Sequence, residues 1–139
     1  MVTEGGFAMG SGLGKLEVLL VDDYKSIRDK LEKELRGLGL VVTTAGNGVE
    51  ALGLLRSKRF DLLFTDIVMP EMDGFELCQE VRTAPGFQDI PIIVTSTHCD
   101  TEYVMKALRL GADDYVSKPV DYELLKQVVA RVLAPTLPK

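Results

Sequence analysis

Residues 17–38 read EVLLVDDYKSIRDKLEKELRGL, and the change of period inside that stretch decides the fold. Glu17–Val21 is a short apolar run, the pattern of a strand buried on both faces. After it, Ile27, Leu31, Leu35 and Leu38 recur at helical spacing, and Gly37 and Gly39 stop the helix. Two acids, Asp22 and Asp23, stand where one period gives way to the other.

The same alternation runs through the rest of the chain. Val41–Ala45 (VVTTA) is β-branched and strand-like. Val49, Leu52 and Leu55 are expected to line one face of a second helix. Leu62–Thr65 (LLFT) is a third strand, ending at Asp66. Asp73 can N-cap a third helix, with Glu76 in the capping-box position and Phe75, Leu77, Cys78 and Val81 as its apolar side. Pro91 precedes the strand Ile92–Ser96, and a fourth helix runs to about Leu110 and ends at Gly111. Tyr115–Ser117 is a short last strand. Asp121 can cap a fifth helix carrying Leu124, Leu125, Val128, Val129 and Val132. Five strands alternating with five helices imply an α/β, doubly wound parallel sheet covered on both faces.

Composition bounds the function. The 139 residues amount to one ordinary domain. Sixteen basic and twenty-one acidic residues leave a net charge of −5, the wrong sign for direct nucleic-acid binding. No apolar run reaches the roughly 18 residues of a membrane span. The chain opens without a signal-peptide pattern, so a cytoplasmic location is expected. Cys78 and Cys99 are too few for a disulfide framework and fit no zinc spacing. Residues 1–14 hold five of the thirteen glycines and read as a flexible N-terminal extension. The domain is expected over 15–133, with 134–139 a tail or the start of a linker.

In open parallel sheets the ligand crevice lies beyond the carboxyl ends of the strands. Those ends carry Asp22 and Asp23, Asp66, Ser96 and, near the last strand, Lys118. Two like charges at ~4 Å repel by roughly 4 kcal/mol at an effective dielectric near 20. Three converging carboxylates therefore raise a pKa or bind a cation. A hard divalent ion with oxygen ligands fits, Mg²⁺ when waters and a phosphate complete its octahedron. Lys118 adds a positive charge suited to an incoming phosphoryl group, and Ser96 adds a hydroxyl. His98 is the one histidine, so no hydrolytic triad can be assembled.

Four motifs stand at those strand ends: VDD (21–23), TDIVMPEMDG (65–74), PIIVTST (91–97) and GADDYVSKP (111–119). Together they resemble the receiver domain of two-component response regulators. The match covers nearly all of 15–133, with 43 residues from Asp23 to Asp66, 30 from Asp66 to Ser96 and 52 from Asp66 to Lys118. Each motif alone is weak; four in order are specific.

The resemblance implies a flavodoxin-like sheet of strand order 2-1-3-4-5. It implies that Asp66 accepts a phosphoryl group from a sensor histidine kinase or phosphotransfer protein. Asp23 would ligate Mg²⁺ directly, Asp22 mainly through water, with Asp66 and the backbone carbonyl of Val68 as further ligands. Lys118 would pair with Asp66 and then with the phosphoryl oxygens, and the Lys118–Pro119 bond would be cis. Ser96 would move to the phosphoryl group and Tyr115 would turn into the space it leaves. The face of the fourth helix, fifth strand and fifth helix would meet a second copy or an effector. The chain would be a switch with self-dephosphorylation rather than an enzyme with a separate substrate.

Plainer readings sit beside these. Asp22 and Asp23 can cap the first helix, Asp66 can be a turn residue, and Ser96 an inert strand-end hydroxyl. Tyr115 and Cys78 can be packing residues, and Cys99 beside His98 a metal or redox pair. In the fourth helix Tyr103, Val104, Met105, Ala107, Leu108 and Leu110 are too many for one buried stripe, so the helix is buried more than usual, carries scattered exposed apolar residues of the ordinary kind, or presents a partner surface. The chain departs from its relatives at Tyr24, where a third acid is frequent, at Ser96 for Thr, and at Thr97 for a smaller residue guarding Asp66. His98 and Val68 occupy positions that tune phosphoryl lifetime in the relatives. Two other functions remain. One is an interaction module signalling by binding without phosphorylation. The other is a Mg²⁺-dependent phosphohydrolase with an Asp nucleophile, which would need a second acid where Val68 stands.

Overall fold

A computed structural model describes residues 16–98 and 100–136. Residues 1–15, with the expected extension over 1–14, Cys99, with the suggested His98–Cys99 pair, and residues 137–139 lie outside the described residues. The element order is β1 (Glu17–Val21), α1 (Lys25–Gly37), β2 (Val41–Ala45), α2 (Gly48–Ser57), β3 (Leu62–Asp66), α3 (Gly74–Arg82), β4 (Ile92–Ser96), α4 (Thr101–Arg109), β5 (Asp114–Ser117) and α5 (Tyr122–Leu133), with a 3-10 turn over Ala134–Thr136. All strand pairs are parallel, in the order β2-β1-β3-β4-β5. That is the doubly wound arrangement the alternation of periods predicts.

The strand β1 shows why its run Val18–Val21 is apolar at every position. In β1, Leu19 and Val21 face a core shared with α2 and α3, while Val18 and Leu20 face one shared with α1 and α5. Both faces are covered, so neither set of alternate positions can be polar. Phe64 of β3 and Ile93 of β4 point to the α1/α5 side, and Leu63 and Ile92 to the other.

The helix ends follow local chemistry. Asp73 accepts from the Glu76 amide and Glu76 returns a bond to the Asp73 amide, the reciprocal box read from the sequence. Asp121 caps α5 and Asp100 caps α4. Gly39 and Gly111, at φ 93° and 112°, carry the chain out of α1 and α4. Arg82 at the end of α3 donates to the carbonyls of Gln88, Ile90 and Gly111 and pairs with Asp113, tying two loops to one helix end.

Two apolar faces differ from expectation. In α2 the buried residues are Gly48, Ala51, Leu52 and Leu55, and Val49 is 52% exposed. The buried set follows the i, i+3, i+4, i+7 stripe, and Val49 falls one position off it. In α5 Leu124 is exposed while Leu125, Val128, Val129 and Leu133 are buried. The fourth helix is not buried more than usual: Ala107 is its one fully buried residue, and Met105 and Leu108 are 46% and 42% exposed. Cys78 is core, and burial pushes its thiol up to about 12.

Candidate functional site

The carboxyl ends of β1 and β3 bring together Asp22, Asp23 and Asp66, with ligand oxygens all within 4.8 Å of one another. Asp22 and Asp66 are buried and Asp23 is exposed. The Asp22 amide donates to the Ala45 carbonyl (3.1 Å), extending the β1–β2 ladder to the end of the strand. Its Oδ1 accepts from the Tyr24 amide at 2.9 Å. Tyr24, with no side-chain cap bond, is the N-cap of α1, so neither acid is spent on capping.

Asp66 is the last residue of β3, and its Oδ1 accepts from the Ile67 amide at 2.8 Å. The turn after it returns immediately, with the Gly74 amide donating to the Ile67 carbonyl at 2.7 Å. A Cβ on Gly74 would stand 2.3 Å from the Asp66 carbonyl oxygen. The glycine of the 65–74 motif is thus a close-approach glycine that lets α3 start against the end of β3.

Lys118 closes the pocket from β5. Its amide donates to the Ser96 carbonyl at 2.8 Å, and the Lys118–Pro119 bond is cis, as the resemblance implies. The ammonium lies 2.7 Å from Asp22 Oδ2 and 3.2 Å from Asp66 Oδ1. The expected pairing with Asp66 is present, but the shorter contact is to Asp22. One ammonium serves two buried carboxylates, which no reading of strand ends could assign.

The sheet brings Ser96 to the adjacent strand end, buried, with Oγ accepting from the His98 amide at 3.0 Å. Tyr115, on β5, donates its hydroxyl to the His98 carbonyl. The His98 ring stacks on Tyr103 of α4, centroids 4.5 Å apart. Val68 and Thr97 are exposed beside the pocket. Arg28 of α1 donates to the Asp22 carbonyl at 2.7 Å, a contact the sequence reading missed.

Burial raises the pKa of Asp66 above 3.8 and the Asp22 charge adds to the rise, against Lys118 and the Ile67 amide, which lower it. The folded state therefore holds the Asp66 proton more tightly than the unfolded chain does. Its charge costs stability above the folded pKa, and that cost vanishes below the unfolded value near 3.8. In chelator at pH 7, Asp66→Asn should raise the thermal midpoint, and the gain should shrink at pH 3.5. Melts followed by circular dichroism at the two pH values check this; an unchanged or lower midpoint at pH 7 would contradict it.

The doubly wound sheet thus gathers three acids and a lysine at its carboxyl edge, the place where open α/β sheets hold their ligands. The family model for the response regulator receiver domain matches residues 18–130. The chain belongs to that family. It is 42% identical over 123 residues to an uncharacterized 14.6 kDa protein of Leptolyngbya boryana, spanning 88% of this chain and 94% of that one. It is also 42% identical over 122 residues to a probable transcriptional regulator of Guillardia theta, of which it spans 47%. Among solved structures, a putative response regulator from Chloroflexus aurantiacus superposes with a TM-score of 0.83 at 33% identity, covering 86% of this chain and 98% of that one. The receiver domain of a sensor histidine kinase from Pseudomonas aeruginosa, with a magnesium ion coordinated in its active-site cleft, gives 0.81 at 28% identity, covering 86% and 98%. Among the described residues no helix is long and apolar enough to cross a membrane.

Proposed function

We propose that this chain is a phospho-accepting switch of two-component signalling, with Asp66 the phosphoacceptor. The observation that carries the reading is the buried Asp66 carboxylate sharing the Lys118 ammonium with Asp22 at the strand edge. The donor is the phosphohistidine of a sensor histidine kinase or phosphotransfer protein. An Asp66 oxygen forms the new O–P bond as the N–P bond breaks, and the departing imidazole nitrogen keeps the electron pair and takes up a proton. Hydrolysis reverses the charge: water attacks phosphorus, inorganic phosphate leaves, and the carboxylate is restored.

The donor set of Asp22, Asp23 and Asp66 is all oxygen and closely spaced, which fits Mg²⁺, with the Val68 carbonyl as a further ligand. The Pseudomonas aeruginosa relative carries that ion in its cleft. When bound, Mg²⁺ supplies charge neutralisation between an anionic acceptor and an anionic donor. Lys118 neutralises phosphoryl oxygens in a transition state that needs positioning more than covalent help. Ser96 exchanges its bond from the His98 amide for one to the phosphoryl group. Tyr115, tied to the same residue's carbonyl, follows, and the exposed Met105 and Leu108 on α4, with β5 and α5, form the surface a second copy or effector meets.

Acetyl phosphate and Mg²⁺ should add one phosphoryl group by intact mass. The adduct should be absent from Asp66→Asn and from a chelator-treated sample. An adduct that survives in Asp66→Asn would move the acceptor elsewhere. No adduct in any sample, together with no response to beryllofluoride, would sink the reading.

A further inference from the structure

The three acids are not held alike. Asp22 is held at every polar group: its amide by Ala45, Oδ1 by Tyr24, Oδ2 by Lys118, and its carbonyl by Arg28. Asp66 is held by Ile67 and Lys118. The Asp23 carboxylate has no hydrogen bond or ion pair among the described residues, yet it reaches the other two within 4.8 Å. With no side-chain partner, its position depends on its own rotamer and on the backbone that carries it. The carbonyl of Asp22 and the amide of Asp23 share one rigid peptide plane, and Arg28 Nη1 fixes that plane from the side at 2.7 Å.

The placement of Arg28 is unusual on two counts. The first turn of α1 has no acid and carries Lys25 and Arg28, against the preference for negative charge at a helix N-terminus. A guanidinium beside three carboxylates would ordinarily grip one of them through two parallel bonds. Arg28 instead donates to a main-chain carbonyl and leaves the acid oxygens clear. Its guanidinium passes against Gly46 in the β2–α2 turn, where a Cβ would lie 3.7 Å from Nη1.

We propose that Arg28 is a positioning residue of the acid pocket: by clamping the Asp22–Asp23 peptide plane it aims the Asp23 carboxylate at a bound divalent cation. This rests on the reading of the pocket as a cation site. Two roles of Arg28 have opposite signs. As a bare positive charge it would weaken cation binding, so its removal would tighten it. As a clamp it supports binding, so its removal loosens it.

The test uses Mn²⁺, which takes the same oxygen ligands as Mg²⁺, with free ion read by electron paramagnetic resonance. Arg28→Met keeps the apolar stem and loses the donor. It should bind Mn²⁺ about tenfold more weakly, the usual scale for losing a residue that orients a ligand. Arg28→Lys, which retains a donor, should recover most of the affinity. Arg28→Gln is the second variant should Arg28→Met fold poorly, and it should show the same loss. Arg36→Ala is the control: Arg36, also on α1, clamps the Val42 carbonyl, and its removal should cost stability without changing affinity. Unchanged or tighter binding in folded Arg28→Met and Arg28→Gln overturns the proposal. A wild-type chain that binds no Mn²⁺ overturns the pocket reading itself, and the proposal with it.

Discussion

Gly74→Ala is expected to cost about 3 kcal/mol, lowering the thermal midpoint by about 10 °C. The new methyl would meet the Asp66 carbonyl oxygen at 2.3 Å, the Ile67 Cα at 2.8 Å and the Asp66 carbonyl carbon at 3.1 Å. All three are backbone atoms of the strand end, so no rotamer relieves the clash. Either α3 backs away or the 66–67 peptide turns. The first loosens Phe75, Leu77, Cys78 and Val81 in the core. The second breaks the Ile67 amide bond that holds Asp66 Oδ1. Gly53→Ala in exposed mid-α2 is the contrast: nothing lies within 4 Å of its Cβ, and it should stabilise by up to about 1 kcal/mol through helix propensity. Urea melts of the two variants check both signs. Equal stability of Gly74→Ala and wild type would mean the loop after Asp66 yields freely and does not fix the carboxylate.

The same contact shows what the sequence could and could not disclose. The order of elements was legible because the central strands β1, β3 and β4 are buried on both faces and each helix on one, so the apolar period changes at nearly every boundary. The acids and Lys118 were legible for the same reason: a doubly wound sheet collects the ends of its strands, and those residues stand at the ends. Which partner Lys118 holds more closely was not legible. It depends on side-chain reach from β5 across β4 and β3, and spacing along the chain carries no such distance. Arg28 was hidden in a helix pattern that explains any basic residue as surface; only the absence of acids in that first turn signalled it. Val49 was misplaced because an i, i+3, i+6 series drifts off the buried stripe, whereas Gly48 and Ala51 hide on it without being strongly apolar.

Lys118→Met tests the charge balance of the pocket, and its cost in chelator at pH 7 should reach about 3 kcal/mol. The lysine side chain is 7% exposed and that of Asp22 is 1% exposed, so water cannot replace the lost ammonium. Methionine fills similar volume, so the loss reads charge rather than a cavity. The pH dependence has a definite sign. Lys118 lowers the Asp66 pKa, and its removal leaves burial and Asp22 to raise it further. Asp66 in the variant then takes up its proton at a higher pH, and protonation removes one of the two buried charges. The deficit against wild type should therefore shrink as pH falls from 7 toward 4, the opposite of ordinary acid destabilisation. Lys118→Met/Asp66→Asn should recover part of the stability at pH 7, because the carboxylate–carboxylate repulsion is gone while Asp22 still lacks its ammonium. A double-mutant cycle by urea melts gives the coupling directly. Additive effects of the two substitutions, or a deficit that is flat with pH, would show that the Asp66 charge is not coupled to Lys118 and that the two carboxylates do not compete for it.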